Sequence, residues 1–321
     1  FFQGHNFLFS ISLELLLFRF PPKECSELSV FVIVLIILLH PDMNANRSYE
    51  YISKENILRN LHEETAKNFT SVAVSDCDYQ DVIFDETTLS ISLVDGDLME
   101  GHKIREGGEY SPTDCKPKFS TAIIVPYRDN AEQLRGFLVY MHTFFHSQHI
   151  HYRIFVVEQM DSKPFNQAKL MNIGAVAAMK AGYPCLILHD VDLLPLKPAN
   201  LYACTKTPRD MSCSINQFRF ALPYLHIFGG VIAIISKQFQ AINGMSNKFF
   251  GRIGHNNDLY LRLVASDLKL CRFEPEASSH TGQVVSHGVS ASMQADGLSS
   301  LKYEEVATVL HPLFTHIMVD L

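Results

Sequence analysis

The seven cysteines of this 321-residue chain include no pair at CxxC spacing, which excludes the common zinc clusters. GxGxxG is also missing, so there is no dinucleotide fingerprint. No block of Lys and Arg stands out from a chain of formal net charge -7, and a nucleic-acid surface is excluded with it. Charged residues are scarce, at 19% against 47% hydrophobic. Such a composition fills a core rather than staying disordered. A long apolar run is lacking too. Leu28 to Leu39 (LSVFVIVLIILL) carries no charge, but it is about half of the ~20 residues a helix needs to cross a bilayer. Residues 7–18 are apolar but interrupted by Glu14, and Pro21, Pro22, Lys23 and Glu24 separate the two runs. The reading is an N-terminal hydrophobic region over 1–41 serving as a membrane anchor, with a cleaved signal peptide or a buried element as alternatives. The sequons Asn46-Arg-Ser and Asn68-Phe-Thr favour a secretory route.

Residues 42–75 are polar and stem-like, and 76–321 carry the main domain. Within it, Phe119–Val125 reads as a buried strand ended by Pro126. Ala131 to Phe145 follows as a helix capped by Asp129 or Asn130. Tyr152–Val157 is a second strand, Asn166 to Lys180 a second helix and Cys185–Leu188 a third strand. This alternation predicts βαβ units: an α/β fold with a Rossmann-like, mostly parallel sheet flanked by helices. The third strand runs out in Asp190 and Asp192. In open α/β sheets ligands collect beyond the carboxyl ends of strands. Two carboxylates there suit a hard divalent cation and, through it, phosphate oxygens. Capping of the next turn is the alternative. Phe228-Gly229-Gly230 precedes another strong β run. The polar run His255-Asn256-Asn257-Asp258 reads as a loop that contacts ligand or as a capped helix start, with a helix over Leu259–Val264. Ile317, Val319 and Leu321 alternate, as in a closing strand.

Five segments, read together, resemble the β-1,4-galactosyltransferase family. They are SPTDCKPKFSTAIIVPYRDN (111–130), FNQAKLMNIG (165–174), CLILHDVDLLP (185–195), LPYLHIFGGVIAIISKQFQAINGMSN (222–247) and ADGLSSLKYEEVATVLHPLFTHIMVDL (295–321). The similarity runs in order from about residue 75 to the last residue. It implies the GT-A fold and a type II Golgi-membrane protein with a signal-anchor, a stem and a lumenal catalytic domain. It also implies Mn2+-dependent, inverting transfer of galactose or N-acetylgalactosamine from a UDP sugar to a terminal sugar of a glycoprotein or glycolipid acceptor. The partners expected are thus the UDP sugar, the glycan acceptor and a membrane. The same resemblance pairs Cys77 with Cys115 and Cys185 with Cys204, leaving Cys25, Cys213 and Cys271.

On the donor side, Pro126, Tyr127 and Arg128 match the PFR of the family's PFRNR, with Asn130 in place of its second arginine. Phe165 matches the aromatic of FNRAKL, whose arginine is Gln167 here. Asp190, Val191 and Asp192 match the DVD motif, with Asp192 as metal ligand and Asp190 contacting donor. Tyr224 and Gly230 fall at acceptor-side positions, with Asn257 and Asp258, and Ile227 replaces a second tyrosine. The family's WGWGGEDDD becomes Phe250-Gly251-Arg252-Ile253-Gly254-His255-Asn256-Asn257-Asp258. Arg252 stands at its mobile tryptophan, and this chain has no tryptophan at all. Asn256 stands at the general base, and an amide cannot take a proton at neutral pH. His255 is the possible substitute. The family's MxxH metal motif aligns with Val284 to His287, which keeps His287 as a ligand and loses the methionine, with His280 competing. Two alternatives stand beside the active transferase: a catalytically impaired paralogue that keeps the fold and UDP-sugar binding, and an unrelated metal-dependent α/β enzyme.

Overall fold

Periodicity two runs through the central strand and sorts its side chains onto two cores. Ile123 and Val125 point into one, with Phe137, Met141 and Phe145. Ala122 and Ile124 point into the other, with Ala168, Leu170 and Ile173. A strand buried on both faces needs helices on both sides, and the computed structural model has that arrangement. It describes residues 49–71, 73, 75–89, 103–220, 228–251, 254–283 and 295–321, all within one unit spanning Ser48–Leu321.

The strands are β1 (Tyr49–Ile52), β2 (Glu109–Tyr110), β3 (Ser120–Tyr127), β4 (His151–Gln159), β5 (Cys185–His189), β6 (Leu193–Pro195), β7 (Arg209–Asp210), β8 (Ser214–Ile215), β9 (Val231–Ile235), β10 (Leu270–Phe273), β11 (Ser279–Gly282), β12 (Glu304–Leu310) and β13 (Thr315–Asp320). The helices are α1 (Ile57–Asn60), α2 (Gln80–Ile83), α3 (Ala131–His146), α4 (Gln167–Lys180), α5 (Ser236–Ala241) and α6 (His255–Ala265). Ten strands form the main sheet in the order β1-β10-β7-β9-β5-β3-β4-β13-β12, with β2 on β4. β5, β3, β4 and β13 run parallel. β9 enters antiparallel to β5, and β12 antiparallel to β13. This is the mixed, mostly parallel α/β sheet of a GT-A fold. A three-stranded sheet, β6-β11-β8, sits beyond the end of β5.

Several boundaries differ from the pattern reading, each for a physical reason. β3 continues through Pro126, which pairs with Val157. Its last pairing with β5 is Ile124 opposite Leu188, so the missing proline N–H is not asked for on that side. The polar run from His255 is the first turn of α6, opened by Gly254 at φ 93°. α3 and α4 are capped by Asn130 and Asn166, whose side chains accept from the N–H of Gln133 and Lys169. Tyr49–Ile52, in the segment that reads as stem-like, pairs along β10 at the sheet edge. Disulfides join Cys77 to Cys115 and Cys185 to Cys204. Cys213 and Cys271 are buried thiols.

The expectation of a membrane anchor is corrected. Among the described residues no helix is long and apolar enough to cross a membrane. The longest, α3, has 16 residues and carries Glu132 and Arg135, where a span needs about 20 apolar ones. Residues 1–41, where the anchor was expected, lie outside the described residues. The membrane partner, the signal-anchor and the Golgi-membrane placement drawn from them therefore have no support in the structure.

Near the far edge of the sheet, Arg272 and Asp210 form a buried pair at 2.8 Å, with side chains 0% and 2% exposed. The guanidinium also lies 3.6 Å from the Tyr49 ring centroid, which fastens β1 to the sheet. Removing one partner of a buried pair is costly. Asp210→Ala is expected to destabilise the fold by about 3–5 kcal/mol, measured by urea unfolding.

Candidate functional site

The acid pair sits where β5 leaves the sheet. The Asp190 N–H donates to the Gly230 carbonyl at 2.9 Å, and the Leu193 N–H closes a turn onto the Asp190 carbonyl at 3.1 Å. The chain then re-enters as β6, against β11. Gly282 on β11 has φ 137°, and a Cβ there would lie 1.8 Å from the Asp192 carbonyl oxygen. Only glycine lets the two segments approach this closely.

Pro126, Tyr127, Arg128, Phe165, Asp190, Val191 and Asp192 line one cavity of about 280 Å3, together with Gln133 and Gln167. A second cavity of about 550 Å3 lies beside it and shares Gln133, Val191 and Asp192. Arg128 is engaged with its surroundings. It donates to the carbonyls of Asp161 and Lys163 at 2.8 Å each. It also lies 5.7 Å from the Phe165 ring centroid, so it shapes the cavity wall as well as charging it. The Gly251 N–H donates to the Phe165 carbonyl at 2.6 Å, which joins the loop before α6 to that wall.

Each carboxylate meets a glutamine amide. Gln167 Nε2 donates to Asp190, and Gln133 Nε2 donates to Asp192. Gln133 was not singled out from the sequence. The available signal was Asn130-x-x-Gln133, a cap residue followed at N3 by Gln, in the first turn of a helix that opens at the carboxyl ends of the strands. Carboxylate oxygens are the donors that Mn2+ or Mg2+ takes alongside substrate phosphates. Among the described residues no group of three His, Cys, Asp or Glu side chains could hold a metal ion. Two carboxylates at one strand end, Asp190 and Asp192, are of the donor type such a cation takes.

The remaining candidates separate. Asn256, in the first turn of α6, packs against Gly229. At φ 115° that glycine leaves no room for a Cβ, which would fall 2.2 Å from the amide carbon. Gly229 adjoins Gly230, so Asn256 and the acid pair flank one backbone junction. His255 is 2% exposed, beneath the helix start. Asn257 is half-buried. Asp258 is not brought to the cavity: its carboxylate is fully buried and accepts from Arg262 Nε at 2.6 Å. His280 is likewise removed from metal binding. It is fully buried, with Nδ1 donating to the Ser278 carbonyl at 3.1 Å and Nε2 at 3.3 Å from the Tyr202 hydroxyl. Tyr224, Ile227, Arg252, Val284 and His287 lie outside the described residues.

Behind the acid pair, His189 Nδ1 donates to the Asp190 carbonyl and Nε2 meets the same Tyr202 hydroxyl, both at 2.9 Å. Burial lowers the pKa of His189 to about 3 and that of His280 to about 4. Both imidazoles thus stay neutral in the fold, while the unfolded chain takes up their protons below about pH 6.5. Their contribution is complete above that pH and is lost as pH falls toward the folded values. Urea unfolding should show stability falling between pH 6.5 and 4, by up to about 1.4 kcal/mol per pH unit for each group. Constant stability over that window would contradict the buried, neutral assignment.

Comparison with known proteins follows the same lines. A family model described as the N-terminal region of glycosyl transferase group 7 matches residues 79–205. One described as the N-terminal domain of galactosyltransferase matches residues 209–287. Beta-1,4-galactosyltransferase 1 of Mus musculus is 36% identical over 237 residues, covering 68% of this chain and 59% of the relative. Beta-1,4-galactosyltransferase 2 of the same organism is 35% identical, covering 67% of this chain and 63% of the relative. The chain thus spans about six tenths of the length of these relatives. Among solved structures, the catalytic domain of Drosophila beta-1,4-galactosyltransferase 7 with xylobiose superposes with a TM-score of 0.53 at 24% identity, over 63% of this chain and 94% of that one. A mutant of that enzyme in complex with manganese, UDP-Gal and xylobiose also has a TM-score of 0.53, at 25% identity, with the same coverage. These matches set aside the unrelated α/β enzyme. The acid pair at the end of β5 is therefore the strand end of a GT-A sheet, and the chain belongs to the β-1,4-galactosyltransferase family.

Proposed function

We propose that this protein binds UDP-galactose or UDP-N-acetylgalactosamine in the 280 Å3 cavity and transfers the sugar, slowly, to a terminal sugar of a glycan. The linkage would be β-1,4, with inversion. The observation that carries the reading is the convergence of Pro126, Tyr127, Arg128, Phe165, Asp190, Val191 and Asp192 on that one cavity. Tyr127 and Phe165 offer aromatic surface for a flat base. Arg128 and the N-terminus of α3 bring positive potential to a diphosphate. Asp192, with His287 by resemblance, would hold Mn2+, which supplies charge for the departing diphosphate.

In the transfer, the bond from the sugar C1 to the phosphate oxygen breaks and a bond from the acceptor oxygen to C1 forms. The acceptor hydroxyl must also lose its proton. Asn256 can accept a hydrogen bond from that hydroxyl, but it cannot take the proton. His255, at 2% exposed, lies deeper than Asn256 at 5% and is the less open of the two to an acceptor. The proton therefore leaves to solvent, which removes about 10²–10⁴ of rate. The same observation favours a second reading, a paralogue that binds the donor without useful turnover.

Asn256→Asp is expected to raise the transfer rate by about 10²–10⁴ with Mn2+ and UDP-galactose or UDP-N-acetylgalactosamine, leaving the donor KM little changed. Product formation from a labelled donor onto an N-acetylglucosamine acceptor measures it. No transfer by either form, with UDP binding intact, would favour the second reading. Equal rates in both forms would remove position 256 from the proton transfer.

A further inference from the structure

The wall shared by the two cavities carries a polar link from Gln133 Nε2 to Asp192 Oδ1. Gln133 is itself held at two points. Its backbone N–H donates to Asn130 Oδ1 at 3.2 Å, and its Oε1 accepts from Asn130 Nδ2 at 3.0 Å. A primary amide has one accepting end and one donating end. With the oxygen taken by Asn130, the NH2 group is the end that faces Asp192. A flip would set two donors against each other at Asn130 and two acceptors against each other at Asp192. The orientation is thus fixed from both sides.

We propose that Gln133, locked by Asn130, is a positioning residue that fixes the Asp192 carboxylate for a divalent cation; this rests on the UDP-sugar reading above. The amide is neutral, so it orients the carboxylate without cancelling the charge that a cation needs. A lysine at the same place could make a similar hydrogen bond but would repel the ion. Asn130, where the resemblance expects an arginine, here braces Gln133. Partners one step removed from a metal ligand carry much of its geometry, and losing one typically costs about 10–100-fold in metal affinity.

The test is Mn2+ binding in the presence of UDP, followed by the electron paramagnetic resonance signal of free Mn2+, with thermal unfolding to confirm the fold. The proteins are the unmodified chain, Gln133→Met, Gln133→Lys and Asp192→Asn. Affinity is expected to fall about 10–100-fold in Gln133→Met at an unchanged unfolding midpoint, and at least as far in Gln133→Lys. If Gln133→Met binds Mn2+ as the unmodified chain does while Asp192→Asn loses it, the positioning role is overturned and the UDP-sugar reading stands. If Asp192→Asn binds as the unmodified chain does, the metal assignment falls and the positioning role with it.

Discussion

One backbone hydrogen bond, from the Asp190 N–H to the Gly230 carbonyl at 2.9 Å, joins the two halves of this site. On one side of it stand the acid pair and the donor-side cavity. On the other, Gly229 makes room for Asn256 at the start of α6. The bond continues the antiparallel ladder in which His189 is the last residue of β5, opposite Val231 on β9. Ser212 supports the same junction: its Oγ donates to the Gly229 carbonyl at 2.6 Å and accepts from the Val231 N–H at 3.2 Å. A shift of β9 by one residue would turn its side chains to the opposite face. It would also separate the acid pair from position 256. Val231–Ile235 is apolar and buried on both faces, so the two Ser212 hydrogen bonds, rather than alternation, pin its register.

Much of the fold was legible because its signals are local. Alternating buried strands and capped helices between Ser120 and His189 need only period, cap and breaker to be read. The position of the acid pair was legible as well, since an apolar run that stops at two carboxylates marks where a buried strand leaves its sheet. Other features depend on what the chain meets in space. Asp258 reads as part of a ligand-contacting loop or a capped helix start, yet Arg262, one turn later on α6, holds it as a buried ion pair. His280 looks like a free ligand until the sheet partners of β11 enclose it beside Tyr202. Gln133 carries no chemical signature of its own. Its meaning comes from the strand end 59 residues away.

Three of the departures from the family pattern share one direction. The positions of two arginines hold amides, and the base position holds another. The first two take part in the network around the acid pair, Gln167 on Asp190 and Asn130 through Gln133 on Asp192. The acid pair is thus held in place where fixed cations would otherwise meet the diphosphate. In the proposed donor site, such an arrangement would throw more of the donor's charge onto a divalent ion and less onto the protein. At position 256 the amide keeps a hydrogen-bonding capacity and gives up proton transfer. The proposed donor side thus keeps more of the family pattern than position 256 does.

The central claim is that the end of β5 is a working UDP-sugar site. It is tested most directly by anomalous diffraction at the manganese edge, from crystals of this protein grown with UDP and Mn2+. The account predicts an anomalous peak within bonding distance of the Asp192 carboxylate, with the uracil ring in the cavity walled by Tyr127 and Phe165. A peak elsewhere, or UDP bound away from that cavity, would contradict it.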